Sequence, residues 1–193
     1  MTEPDGPGAS ATGPEGSDDE RLAERLVGSR VVHAGRYLEF RVDTIERADG
    51  SRAERDVVWH PGAVAILAVD DADRVLLVRQ FRLPAGRVLL EVPAGTLDVD
   101  PATGEIEDPD VAARRELEEE TGYRAGSWQR LASFWTAPGF ASELMHLYLA
   151  TELAPAHQDR IGPDEDERLE LERRPIADAV EAAERGEIAD AKS

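Results

Sequence analysis

The alternation of apolar and polar residues predicts β-strands near the start of the chain. Residues 36–46 (RYLEFRVDTIE) alternate apolar and polar positions, and residues 53–60 (AERDVVWH) resume the pattern after the turn DGS. A period of two is typical of strands that bury one face, and Asp-Gly between two such strands indicates a hairpin. The sequence therefore predicts an N-terminal antiparallel β region.

A continuous apolar run follows at residues 62–70 (GAVAILAVD), and it has the length of a central strand. Residues 75–81 (VLLVRQF) come after the turn DADR and are expected to pair with that strand in antiparallel fashion. Residues 87–95 (RVLLEVPAG) predict one more short strand, which ends at Pro93 and Gly95.

The second half of the chain predicts two helices and two further strands. Asp108 and Pro109 form a helix start before residues 110–122, and Gly122 is a helix stop. Residues 143–153 read as a strand, and the acidic residues 164–175 lead into another. Residues 175–188 predict the second helix. Strands interrupted by single helices indicate an α/β class, with a mixed sheet in an α/β/α sandwich.

Composition divides the chain into three parts. The first residues are Pro, Gly, Ser and acid with little to bury, so residues 1–25 are expected to form a disordered tail. Residues 26–60 would be the N-terminal β region, and residues 61–193 the main domain. The longest apolar run is too short to span a bilayer, and no signal sequence is evident, which favours a cytoplasmic protein without membrane contact.

Charge and residue usage exclude several chemistries. The chain has 41 acidic and 22 basic residues, and a net charge of −19 disfavours nucleic-acid binding. The absence of cysteine excludes disulfides, thiolate metal sites and cysteine nucleophiles. Lys192 is the single lysine, so Schiff-base chemistry and a P-loop are implausible. Nearly all of the positive charge is arginine, which suits phosphate contacts.

The helix at residues 110–122 carries the strongest candidate chemistry. Glu116, Glu119 and Glu120 have the spacing that places side chains on one helix face. Three carboxylates on one face repel one another unless cations neutralise them, and Mg²⁺ prefers carboxylate oxygens and often bridges to phosphates. Arg115 lies one turn before Glu119 and could hold it in place. Glu118 points elsewhere and is expected to be merely solvated.

Together, Gly95, Glu107 and residues 115–123 (RELEEETGY) resemble the signature of the Nudix hydrolase family. That signature is Gly, five residues, Glu, seven residues, then Arg-Glu-aliphatic-any-Glu-Glu-any-Gly-hydrophobic. Every fixed position from Glu107 to Tyr123 matches, including the seven-residue spacing between Glu107 and Arg115. One departure stands out, since eleven residues separate Gly95 from Glu107. The longer loop leaves Glu105 as a competitor for the Glu107 position.

The resemblance implies the fold and a set of roles. Nudix enzymes hold several Mg²⁺ or Mn²⁺ ions on a loop–helix–loop beside a diphosphate. Glu116, Glu119, Glu120 and the backbone carbonyl of Ala94 match the metal-ligand positions. Arg115 matches the arginine that orients a glutamate, so Arg115 and Glu119 are also candidate catalytic residues.

Residues outside the signature resemble the ADP-ribose pyrophosphatase group. Pro138 stands sixteen residues past Gly122 in SFWTAPGFASE and is followed by Glu143, and both match positions near the substrate in that group. The segments LLVRQFR, LLEVPAG and RGEIADAKS are similar to that group as well. The resemblance spans roughly residues 30–193 and implies hydrolysis of ADP-ribose to AMP and ribose 5-phosphate.

The same resemblance names further substrate contacts. Arg82 and Arg55 match positions that contact phosphate or ribose, with Arg82 favoured, and Asp56 could touch a ribose hydroxyl. The aromatic residue that would stack on adenine stays open among Tyr37, Phe40 and Trp59. A mobile acidic loop supplies the general base in this group, and the candidates are Glu165, which is slightly preferred, and Glu167.

The group resemblance also implies a homodimer in which each N-terminal sheet completes the partner's site. Two alternatives remain open. One is a pyrophosphatase for another nucleoside diphosphate derivative, such as a nucleotide sugar or dinucleotide. The other is a regulator that binds ADP-ribose without hydrolysing it. The complete glutamate set and the unfavourable net charge for DNA binding favour an enzyme.

Overall fold

The computed structural model describes residues 22–156 and 168–193, which form ten strands and two α-helices. The strands are β1 Glu24–Ala34, β2 Glu39–Arg47, β3 Arg52–Trp59, β4 Ala63–Ala68, β5 Arg74–Arg82, β6 Arg87–Glu91, β7 Ala94–Thr96, β8 Tyr123–Trp135, β9 Leu144–Pro155 and β10 Glu170–Pro175. The helices are α1 Pro109–Thr121 and α2 Ile176–Glu184.

The central sheet has the order β7-β4-β9-β8 and is mixed, as the sequence predicted. β4 pairs with β9 in parallel and with β7 in antiparallel fashion, while β8 runs antiparallel to β9. The apolar run at residues 62–70 is therefore a central strand with neighbours on both sides. β8 was not recognised in the sequence, because six of its thirteen side chains are charged, polar or glycine and it shows no clear alternation.

Two cores lie on opposite faces of this sheet. On one face, Val64 and Ile66 of β4 pack with Ala113 and Leu117 of α1, and all four are fully buried. On the other face, neighbouring positions of β4 pack with β5, α2 and the segment after α2. Alternate side chains along β4 thus pack into the two cores on opposite faces of the sheet, which gives the sandwich its α/β/α character.

The expected pairing of residues 75–81 with β4 is wrong. β5 instead forms a second sheet with the order β10-β5-β6, antiparallel throughout, and its backbone pairs with the end of β4 only at a bridge between Val69 and Val75. The turn at residues 70–73 carries the chain from one layer to the next. A short turn predicts antiparallel neighbours only when both strands stay in one sheet, and here the hydrophobic faces of the two strands pack against each other.

The N-terminal sheet has the order β1-β2-β3, and the predicted hairpin is its β2-β3 pair. Glu24 and Arg25, which the sequence placed in the tail, are the first residues of β1. The sheet joins the main body where Val58 of β3 exchanges backbone hydrogen bonds with Phe140 and Ser142, at 2.7 and 3.0 Å. It therefore lies beside the loop that carries Pro138.

The caps of α1 are those that the sequence predicted. The side chain of Asp108 accepts a hydrogen bond from the backbone N–H of Asp110 at 2.8 Å, and Pro109 occupies the first helical position. Gly122 ends the helix with φ of 73°, a left-handed conformation that glycine adopts without strain. None of the helices in the described ranges is long and apolar enough to cross a membrane.

Candidate active site

A cleft of about 980 Å³ opens between α1, the β7 region, the end of β5 and the segment after α2. Its lining includes Arg115, Glu116 and Glu119 from α1 and Ala94 and Gly95 from β7. Further lining residues are Arg82, Glu91, Glu143, Trp59, Tyr37 and Lys192. Most of the predicted site residues that the structure describes therefore meet in one place.

Arg115 is the centre of one side of this cleft. Its guanidinium donates to Glu116 at 2.7 Å, to Glu119 at 2.9 Å and to both carboxylate oxygens of Glu107 at 2.7 and 3.2 Å. Burial by itself would lower the pKa of Arg115, but the bond to Glu107 and the charges of Glu116 and Glu119 outweigh it and raise the pKa. Arg115 is therefore a fixed cation, and it is hydrogen-bonded to three glutamates, of which Glu119 is the one that helix spacing placed beside it.

The structure supports Glu107 over Glu105 as the partner of Arg115. The Glu107 carboxylate receives the two bonds from Arg115 and also accepts from the backbone N–H of Asp98 at 3.2 Å. Burial would raise the pKa of Glu107, but these hydrogen bonds lower it below the ordinary value. The extra loop residues project as a small hairpin closed by the bridge between Val99 and Ile106, so the spacing to α1 is preserved.

The backbone of β7 approaches the carboxylates of α1 closely. A methyl group placed on Gly95 would overlap with the carboxylate of Glu116, so only glycine leaves room for it. One residue earlier, the N–H of Ala94 donates to Glu120 at 3.0 Å. Glu116 and Glu120 are 8% and 9% exposed, so both are buried carboxylates that lie against the backbone of β7.

Glu118 does point away from this group, but it is not merely solvated. Its carboxylate receives two hydrogen bonds from Arg124, at 2.6 and 2.7 Å, and its side chain is 15% exposed. The start of β8 folds back along α1 and brings Arg124 beside Glu118. That return of the chain was not visible in the sequence.

The opposite side of the cleft is centred on Glu91, whose side chain is 1% exposed. Arg82 donates to both of its oxygens at 3.0 and 2.8 Å, and Lys192 donates to one at 2.7 Å. Burial would raise the pKa of Glu91, but the bonds from Arg82 and then Lys192 lower it. Sequence reasoning missed Glu91 and Lys192, although a lone acid in an apolar strand and a single lysine were both unusual.

Glu143 lies on the rim that faces the N-terminal sheet. It accepts from the hydroxyl of Thr136 at 2.5 Å and lies 3.5 Å from Nε2 of His60. The N–H of Gly62 donates to Nδ1 of His60 at 3.0 Å, so the neutral ring carries its proton on Nε2, towards Glu143. Burial lowers the pKa of His60, with the charge of Glu143 opposing this.

The loop at residues 136–143 brings Glu143 into the cleft but leaves Pro138 outside its lining. Tyr37 and Trp59 line the cleft, whereas Phe40 does not, which narrows the aromatic candidates. Tyr37 also contacts the edge of His60, with ring centroids 6.4 Å apart.

Arg55 and Asp56 do not line the cleft of their own chain. Arg55 lies on β3 and forms an ion pair with Glu24 of β1, so its guanidinium is engaged within the N-terminal sheet. Glu165 and Glu167, the candidate bases, lie outside the described residues.

The chemical type of the candidate ligand atoms suits a hard divalent cation. Glu116, Glu119 and Glu120 offer only carboxylate oxygens, and the close approach of Gly95 leaves space for the Glu116 carboxylate. In the described ranges no three acidic or imidazole side chains are arranged so that they could hold a metal ion together, and Arg115 binds Glu116 and Glu119 directly. Metal binding would thus require these carboxylates to turn within the cleft.

A sandwich whose carboxylate-bearing helix lines a cleft of about 980 Å³ is typical of one protein family. The NUDIX domain family matches residues 59–193, and the chain belongs to this family. A solved structure titled as that of an ADP compounds hydrolase has the same fold, with a TM-score of 0.70, 24% identity and coverage of 88% of this chain and 87% of that one.

Three curated relatives are similar over most of the chain. An ADP-ribose pyrophosphatase of Bacillus subtilis is 39% identical, over 89% of both proteins. A methanol dehydrogenase activator of Bacillus methanolicus is 37% identical over 88% of both. An ADP-ribose pyrophosphatase of Mycobacterium tuberculosis is 40% identical over 84% of this chain and 75% of the relative.

Proposed function

We propose that the protein hydrolyses the diphosphate bond of ADP-ribose to AMP and ribose 5-phosphate, with Mg²⁺ or Mn²⁺ as cofactor. The observation that carries this proposal is the pairing of opposite charges in one cleft. Arg115 gathers carboxylates on the α1 side, and Glu91 gathers cations on the other side. Two of the three curated relatives described above are ADP-ribose pyrophosphatases, which supports the choice of substrate.

Acidic residues of the cleft would bind the metal ions, and basic residues would bind the phosphates. Glu116, Glu119, Glu120 and the carbonyl of Ala94 would hold the divalent cations, which polarise the phosphoryl group and activate water. Arg115 keeps Glu116 and Glu119 oriented towards the cleft. Arg82 would contact a phosphate, because its bonds to Glu91 use Nε and Nη2 and leave Nη1 outside that pair.

Hydrolysis needs a group that accepts a proton from water. Water adds to one phosphorus, the bridging P–O bond breaks, and the bridging oxygen stays with the other phosphate. Glu165 and Glu167 are proposed as the candidate bases, with Glu165 preferred. If Glu165→Gln and Glu167→Gln each retained the turnover of the wild type, neither residue would be the base.

Recognition of the nucleoside is assigned to the rim beside the N-terminal sheet. Tyr37 or Trp59 would stack on the adenine ring, and Glu143 would accept hydrogen bonds from the substrate. Arg55 and Asp56 could reach a substrate if the N-terminal sheet that carries them completes a partner's site, and Pro138 would shape the loop that brings Glu143 into the cleft. The homodimer is therefore part of the proposal, and light scattering that showed an active monomer would refute it.

A substrate panel tests the proposal directly. ADP-ribose, GDP-mannose, UDP-glucose, FAD and NADH would be compared at equal Mg²⁺ concentration, with release of mononucleotide as the measurement. We expect ADP-ribose to have the largest kcat/KM. A larger kcat/KM for a nucleotide sugar or dinucleotide would favour a pyrophosphatase for that class of substrate. Tight ADP-ribose binding without turnover would favour a regulator that binds ADP-ribose without hydrolysing it.

A further inference from the structure

The segment after α2 returns to the cleft and closes one of its sides. The N–H groups of Glu187 and Ile188 both donate to the carbonyl of Ala182, at 2.8 and 3.3 Å, which turns the chain back at the end of the helix. Ile188 is 9% exposed and packs into the core between the sheet and α2. Residues 190–193 are thereby directed against the end of β6.

These last residues bond to β6 through both backbone and side chains. The N–H of Val92 donates to the hydroxyl of Ser193 at 3.0 Å, and that hydroxyl donates to Asp190 at 2.8 Å. The ammonium of Lys192 donates to Asp190 and to Glu91, each at 2.7 Å. The Lys192 side chain is 12% exposed, yet it lines the cleft together with Asp190.

The Glu91 carboxylate needs this arrangement. A buried carboxylate is costly unless cations and hydrogen bonds satisfy it. Arg82 occupies both oxygens of Glu91 side-on, and Lys192 shares one of those oxygens. Each cation therefore sets the position of the other through a single carboxylate. Asp190 accepts a further hydrogen bond from the Lys192 ammonium, at 2.7 Å.

We infer that Lys192 is a positioning residue for binding of the diphosphate, acting through Glu91 on the Arg82 guanidinium. The inference rests on the proposed function, because it assigns Arg82 to a phosphate. Lys192 supplies Glu91 with a second cation, so that Arg82 is not the sole counter-charge of a buried carboxylate. It also adds one positive charge to the side of the cleft that receives an anion.

Removal of that charge should affect binding more than chemistry. Without Lys192, Glu91 would compete more strongly with the substrate for Arg82, and the potential in the cleft would become more negative. We expect Lys192→Gln to raise KM for ADP-ribose by about tenfold and to change kcat by less than about threefold. Lys192→Arg keeps the charge and should recover much of the affinity.

Arg185→Gln provides a matched control. It removes one positive charge from the same end of the chain, but Arg185 is exposed and pairs with Glu181 and Glu187 on the surface of α2. This variant should leave KM within twofold of the wild type. Equal KM values for Lys192→Gln and the wild type would overturn the inference, as would a lysine effect seen only in kcat.

Binding of a ligand that cannot turn over separates this inference from the proposed function. Calorimetry with the α,β-methylene analogue of ADP-ribose reads affinity whether or not the protein hydrolyses the natural compound. We expect about tenfold weaker binding by Lys192→Gln, with wild-type affinity in Arg185→Gln. If the wild type binds the analogue but hydrolyses no ADP-ribose, the proposed hydrolysis fails while the Lys192 comparison still decides the inference.

The single lysine allows a second test on the unmodified sequence. Acetylation by an amine-selective reagent can label only Lys192 and the N-terminal amine, and peptide mass spectrometry separates the two. The saturating methylene analogue should slow labelling of Lys192 by at least about fivefold and leave the N-terminal amine unaffected. Equal labelling of Lys192 with and without the analogue would contradict its place in the lining of the cleft that binds the diphosphate.

Discussion

Arg115 and Glu91 are charge-reversed counterparts within the same cleft. Arg115 is one cation that binds three carboxylates, those of Glu107, Glu116 and Glu119. Glu91 is one carboxylate that binds two cations, those of Arg82 and Lys192. The first cluster presents carboxylates to the cleft and the second presents cations. In a metal–diphosphate complex, the metal ions would therefore meet negative charge on one side and the diphosphate would meet positive charge on the other.

The two clusters also differ in how the chain builds them. The three carboxylates that accept hydrogen bonds from Arg115 lie at most eight residues away from it, on one helix and the loop before it. The partners of Glu91 lie nine and 101 residues away, on a neighbouring strand and after the last helix. The acidic side is thus a local motif, whereas the basic side depends on tertiary folding.

The largest effect is expected on the acidic side. Glu119→Gln keeps the size of the side chain and removes one carboxylate from the proposed cation site, so we expect kcat with Mg²⁺ to fall by about a thousandfold or more. Circular dichroism and thermal unfolding should remain close to those of the wild type. Retention of more than a tenth of wild-type kcat would remove Glu119 from the catalytic set.

Gly95→Ala tests the close approach between β7 and α1. The added methyl group would displace the Glu116 carboxylate, which is the movable end of a side chain, so the fold should survive. We expect kcat to fall by about ten- to a hundredfold, because a ligand that is displaced by about an ångström is poorly placed. Unchanged kcat would show that Glu116 needs no fixed position.

The cluster of Glu91, Arg82 and Lys192 should affect the free energy of unfolding more than kcat. Glu91→Gln leaves Arg82 and Lys192 without their shared counter-ion, which should cost about 2–3 kcal/mol of unfolding free energy at pH 7, a figure discounted for the partial exposure of Arg82. Urea unfolding would measure this difference. A cost of less than about 0.5 kcal/mol would mean that the cluster contributes little to the fold.

The same variant carries a pH signature with a definite sign. The folded pKa of Glu91 is depressed below its ordinary value of 4.5, so the stabilisation is complete above pH 4.5 and is lost as the pH falls through the folded pKa. The difference between wild type and Glu91→Gln should therefore be constant from pH 5 to 7 and shrink in more acidic solution. A difference that grew towards low pH would contradict the ion-pair account.

The smallest effect is expected at Glu118, one residue from the proposed ligands. Its bonds to Arg124 lie at the surface, where ion pairs contribute little. Glu118→Gln should keep kcat/KM within twofold of the wild type and Tm within about 2 °C. Glu118→Gln is the internal control for Glu119→Gln. If Glu118→Gln lost as much activity as Glu119→Gln, activity would depend on any loss of charge in α1 rather than on Glu119 in particular.

The contrast between the clusters explains what the sequence could predict. α1 with its caps, the spacing of its glutamates and the pairing of Arg115 with Glu119 follow from helix periodicity and local capping, which depend on neighbours in sequence. The central position of β4 follows from its unbroken apolar run, which needs cover on both faces. Each of these features is encoded within a few turns or one strand.

The remainder depends on where separate segments meet. The transfer of β5 into a second sheet is decided by packing between layers, and no local pattern records it. The bond between Glu91 and Lys192 spans 101 residues, and the pairing of Arg55 with Glu24 depends on the path of β1. In each case the residue types were visible, but their partners were not.

Hydrolysis of ADP-ribose in oxygen-18 water, with and without Mg²⁺, tests the central claim most directly. Mass spectrometry of the products should show AMP and ribose 5-phosphate in equal amounts, one oxygen-18 atom in one of the two phosphates, and negligible product when Mg²⁺ is withheld. The position of the label would identify the phosphorus that water attacks. Absence of these products with Mg²⁺ present, or equal turnover without any divalent cation, would contradict the account.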